Sequence, residues 1–166
     1  ATGKGSPDKI LLEEDVKAII ADGTPAKMFA NKRVLVLTPD ATRTCPLPMM
    51  IRAIQALLGT KAAKLDFMVA LGTHTPLPEK EILKLYGITT NQKQAQFRNS
   101  LFFNHRWEQP QTFRRIGHLS EEDVEKVSQG RLLEKVPIDI NKKIYDKSVV
   151  RLWVKKEPQI ILFAKN

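Results

Sequence analysis

One cysteine, three histidines and no long apolar run define what this 166-residue chain does without. A lone cysteine closes no disulfide within the chain, and a reducing, cytoplasmic setting is the expectation. The apolar runs fall far short of a membrane span, and Lys4, Asp8 and Lys9 break up any secretory leader at the N-terminus, so no membrane partner is expected. His74, His105 and His118 lie far apart and no CxxC or HExxH pattern occurs, so no metal site is expected from these residues. The glycine-rich fingerprints GxGxxG and GxxxxGK[ST] are missing too, which removes the common nucleotide-binding loops. The formal charge of +9 raises the question of nucleic acid. The basic residues are scattered, however, and no aromatics are interleaved with them, which points to a solvated face and no nucleic-acid partner.

What the chain does have suits one layered domain with a real core: 42% hydrophobic residues and a mean hydropathy of −0.27. Leu12 to Ala21 carries Leu12, Val16, Ile19 and Ile20 at helical spacing, with Gly23 after it. Arg33 to Leu37 and Asp66 to Leu71 are apolar runs that read as buried strands, and Asn99 to Asn104 reads as a third. Between the first two, Pro46 to Leu58 keeps helical spacing and is followed by Gly59. Thr75 is positioned to cap a helix with Pro76 in its first turn and Gly87 after its end. Ser120 opens a short acidic-first helix ending near Gly130, and Val136 to Asn141 alternates as a half-exposed strand whose Pro137 suits an edge. Val149 to Val154 and Ile160 to Ala164 are β-like runs. Alternating strands and helices predict an α/β layered domain with a mostly parallel or mixed sheet flanked by helices.

Chemically capable residues cluster where strands give way to helices, the edge at which open α/β sheets bind ligands. Asp40, Thr42 and Arg43 follow the first strand, and Gly72, Thr73 and His74 follow the second. An arginine there can grip a carboxylate through two parallel hydrogen bonds, and threonine hydroxyls can add contacts to an anion. Histidine can take up and return a proton near neutrality. Plainer roles stand beside these: Asp40 capping its turn with Arg43 paired to it, and His74 capping the next helix. His105 is the second histidine of interest, with a structural role expected. His118 is expected at the surface. Cys45 sits at a helix start without a visible base and is not expected to be a nucleophile.

These segments, taken in order, resemble the N-terminal part of the lactate racemase family, enzymes that use a nickel-pincer nucleotide. The resembling stretches are Asp40-Ala41-Thr42-Arg43-Thr44-Cys45-Pro46, then Gly72-Thr73-His74-Thr75-Pro76, Asn104-His105-Arg106, and Gly130 to Asn141. The resemblance implies an isomerase, a 2-hydroxyacid racemase or epimerase. Arg43, with Asp40 nearby, would hold the carboxylate of a small 2-hydroxy acid. His74 would take the hydroxyl proton while hydride leaves to the pincer ring. Thr42, Gly72 and Thr73 would face the cofactor. Thr44 and Thr75 stand where the family often has Pro and Arg, implying a different substrate within it. Residues 1–150 would be the N-terminal α/β domain, with residues 151–166 unassigned, and the second catalytic histidine, the lysine that tethers the cofactor, the nickel-ligand histidine and the catalytic C-terminal domain are expected outside this chain. The chain by itself is therefore expected to be inactive, needing that domain or another chain to complete the site. A non-catalytic α/β module binding an anion or nucleotide through the same loops is the alternative.

Overall fold

The computed structural model describes Gly5 and residues 7–8, 10–145 and 161–165. They form two compact units, residues 1–105 with 147–166, and residues 106–146.

The first unit is built on a mixed four-stranded sheet. Its strands are β1 (Arg33–Thr38), β2 (Lys64–Val69), β3 (Phe102–Asn104) and β6 (Ile161–Lys165), in the order β3-β2-β1-β6. β1, β2 and β3 run parallel, and β6 pairs antiparallel with β1. Parallel neighbours require crossovers. Helix α2 (Leu47–Leu58) carries the chain from β1 to β2, and α3 (Glu79–Leu85) with α4 (Thr90–Gln96) carries it from β2 to β3. With right-handed crossovers stepping the same way along the sheet, these helices share one face. The buried side chains agree: Val34, Val36, Leu65, Phe67, Val69 and Phe102 alternate along the strands and join Ile51, Ile54, Ile82 and Phe97 in one core. Helix α1 (Glu13–Gly23) packs on α2 and buries Ile20. Leu12, expected on its apolar face, precedes the helix and is exposed. At the end of α3 the chain turns through Gly87, at φ 63°, where a Cβ would also press on Pro48 at 2.9 Å.

Several expectations shift. The second strand runs Lys64–Val69 and the third only Phe102–Asn104. Thr75 caps nothing, because α3 starts at Glu79 after Pro78. Prolines at 76 and 78 disfavour helical backbone at Thr75 and Leu77, which delays the helix by a turn. Helix α4 was not anticipated from apolar spacing. A capping box begins it: the Thr89 hydroxyl accepts from Gln92 N–H, and the Gln92 side-chain Oε1 accepts from Thr89 N–H. The run Val149 to Val154 lies outside the described residues.

The second unit is a two-stranded antiparallel ribbon, β4 (Phe113–Leu119) with β5 (Val136–Asn141), plus helices α5 (Glu121–Ser128) and α6 (Lys142–Tyr145). β4 is an unanticipated strand, bulged between Arg115 and Gly117. β5 spans the expected residues, with Pro137 on a strand that has one partner. Ser120 caps α5 as expected.

Candidate functional site

The register aligns the ends of the three parallel strands. Thr38 pairs with Val69, and Val69 with Asn104. Three loops therefore leave the sheet along one rim, carrying Asp40–Arg43, Gly72–His74 and Asn104–His105. Two backbone bonds extend the alignment past the strands, Ala70 N–H to Thr38 C=O at 2.8 Å and His105 N–H to Val69 C=O at 2.9 Å. Beneath the rim, the buried Thr38 hydroxyl and the phenol of Tyr86 hydrogen-bond at 2.7 Å. That partnership fixes the end of β1 without exposing a polar group to the core.

The rim brings Asp40 and His74 together. His74 Nδ1 lies 2.5 Å from Asp40 Oδ2. The other oxygen, Oδ1, accepts from the Thr42 hydroxyl at 2.5 Å and from Thr42 N–H at 3.0 Å. Asp40 is thus a turn former, as the plain reading has it, and its carboxylate is met by Thr42 and His74. Its side chain keeps only 12% of its exposure, whereas the His74 side chain keeps 55%. Burial pushes the Asp40 carboxyl up, yet hydrogen bonds from Thr42 and His74 outweigh it and hold the group below its ordinary value. The dyad therefore pairs a sheltered, ionised acid with an accessible imidazole. With Nδ1 at Asp40, Nε2 is the ring nitrogen that remains.

Arg43 shares the Asp40 turn, its N–H 3.4 Å from Asp40 C=O, and its side chain is exposed. Gly72 and Thr73 are exposed as well. A Cβ on Gly72 would meet nothing within 4 Å, so the fold itself does not demand glycine there. His105 is half-buried at the end of β3, and His118 is exposed on the ribbon of the other unit, as expected for a surface histidine. Burial pushes the Cys45 thiol up to about 11, which argues against a thiolate nucleophile. Among the described residues no group of three His, Cys, Asp or Glu side chains could hold a metal ion. No described helix is long and apolar enough to cross a membrane.

Asn104 lies in the resembling stretch Asn104-His105-Arg106, yet the sequence alone assigns it no role. Its side-chain amide donates to Leu77 C=O at 2.7 Å and accepts from Leu77 N–H at 3.2 Å, clamping the loop that carries His74.

A model of the lactate racemase N-terminal domain family matches residues 8–152. The chain belongs to that family. A crystal structure of a Thermotoga maritima protein from a structural genomics consortium is similar to it, with a TM-score of 0.68 and 25% identity. The match covers 82% of this chain and 31% of that one, so the chain spans about a third of the length of this solved relative. No curated protein matches the chain.

Proposed function

We propose that this chain supplies the substrate-binding and proton-transfer side of a lactate racemase-like isomerase that inverts a small 2-hydroxy acid. The observation that carries the reading is the Asp40–His74 contact on the rim, in the turn that also holds Arg43. The Arg43 guanidinium takes the substrate carboxylate through paired hydrogen bonds. His74 Nε2 removes the hydroxyl proton as the C–H bond breaks. Asp40 keeps Nδ1–H pointed at itself and stabilises the imidazolium that forms, and Thr42 holds Asp40 in place. Inversion requires hydride to return on the opposite face of the planar keto acid, and a second histidine outside this chain would give the proton back on that face.

Loss of the α-hydrogen with two electrons needs a hydride acceptor, and in this family the nickel-pincer nucleotide supplies one. Among the described residues no group of three His, Cys, Asp or Glu side chains could hold nickel, and the nickel ligand is proposed to lie outside this chain. Thr73 and Gly72, exposed beside His74, and Thr42 remain the proposed contacts to the nucleotide. Completion by a C-terminal domain or another chain is part of the proposal, as is a cytoplasmic setting, which the single thiol favours.

The test is racemisation of one enantiomer of a 2-hydroxy acid by the complete, cofactor-loaded protein, followed by chiral separation. His74→Ala should lower kcat by roughly 100-fold or more. Arg43→Ala should chiefly raise KM. Unchanged turnover in His74→Ala removes the proton-transfer role.

A further inference from the structure

The His74 loop is held from both sides of β2. On one side Asp40, after β1, takes the imidazole. On the other, Asn104, the last residue of β3, grips Leu77 through both of its peptide groups. Leu77 stands between Pro76 and Pro78, neither of which has an N–H. Leu77 is therefore the only donor in that tripeptide, and Asn104 takes it. Thr75 and Leu77 each precede a proline, which confines them to extended backbone. The stretch from His74 to Leu77 is consequently stiff, and a displacement at Leu77 is passed along to the imidazole. Leu77 also packs against the core, so the clamp fixes the loop relative to the sheet.

We propose that Asn104 is a positioning residue: by clamping Leu77 it sets His74 against Asp40. The catalytic meaning of this rests on the proton-transfer reading of His74; the geometric claim does not.

Nitrogen-15 NMR of the imidazole tests it, with neither substrate nor cofactor present, so a failed racemisation assay and a failed clamp are separate results. The variants are Asn104→Leu, which removes both bonds, and Asn104→Asp, which keeps the acceptor and loses the donor. The His74 Nδ1–H should exchange with solvent roughly tenfold faster in Asn104→Leu, the factor that one ordinary hydrogen bond gives, and by a smaller factor in Asn104→Asp. β1 amide protection should stay as in the parent chain in both. In Asn104→Asp, lowering the pH to protonate the new carboxyl should restore the donor, and the Nδ1–H signal should move back toward that of the parent chain at the same pH. A His74 signal that matches the parent in both variants overturns the proposal. So does loss of β1 protection in both, which would make Asn104 a residue of the fold alone. If only Asn104→Leu unfolds, Asn104→Asp decides by the same criterion.

Discussion

The two compact units differ in what holds them and in what they carry. The first buries nearly every core side chain of the described residues, from Ile20 through Phe102, while the second buries one large apolar residue, Val124. Conversely, Trp107, Ile116, Leu119, Val127, Leu132, Leu133 and Ile138 in the second unit are exposed. Charge divides the same way. The second unit has eight Lys or Arg and eight Asp or Glu, so the whole formal charge of +9 falls in the first. The unit with the deep core is thus also the one whose field attracts anions, and it is the one that carries the Asp40–His74 rim. A dyad needs a rigid base to hold a sub-ångström geometry, and three aligned strand ends provide it. A two-stranded ribbon has no such base; Ser120, the β4–β5 ladder and the Arg115–Asp139 pair hold it locally.

The largest break in this contrast should come from Phe67, fully buried and stacked on Phe102 at 5.4 Å. Phe67→Ala should cost about 3–5 kcal/mol in chemical denaturation and release the β1 and β2 amides to exchange. Next comes Ser120→Ala, which removes the cap on α5 and should cost about 1 kcal/mol. Hydrogen exchange should place that loss in residues 121–128 and leave β1 untouched. A Ser120→Ala effect as large as that of Phe67→Ala would erase the distinction between the units.

The smallest effect separates two carboxylates. Both Asp40 and Asp139 are held below the ordinary value, Asp139 by its hydrogen bonds from Arg115, and Asp40 by Thr42 and His74 against the push of burial. For each, the ionised form is favoured in the folded chain. Its contribution to stability is complete above the ordinary carboxylate range and disappears as pH falls through the lowered value. Asp40→Asn should therefore flatten the acid limb of the stability profile of the first unit, measured by amide exchange in β1 between neutral and acid pH. Asp139→Asn should leave that limb unchanged.

The parts of this molecule that were legible in the sequence are those where burial dictates residue type. β1, β2 and α2 bury mainly apolar side chains, with Thr38 and Asp66 the polar exceptions in the two strands, so their apolar runs revealed them. β4 was not legible, since Phe113-Arg-Arg-Ile-Gly-His-Leu buries no face and its bulge breaks the alternation. Helix α4 was hidden because Thr-Asn-Gln-Lys-Gln-Ala-Gln has no apolar stripe. Asp40, Arg43 and His74 could be singled out by type and place. Their partners could not, because the contacts join residues 34 and 27 positions apart, Asp40 with His74 and Leu77 with Asn104. The Pro76 and Pro78 pair was the visible clue that His74 would not cap a helix.

The central claim is that His74 stands on the rim with Nδ1 bound to Asp40 and Nε2 offered to a ligand. The direct measurement is the tautomer of the neutral His74 ring by nitrogen-15 NMR in the unsubstituted chain and in Asp40→Asn. The account predicts a protonated Nδ1 in the unsubstituted chain and a shifted tautomer balance in Asp40→Asn. An unprotonated Nδ1, or a ring that does not respond to Asp40→Asn, would contradict it.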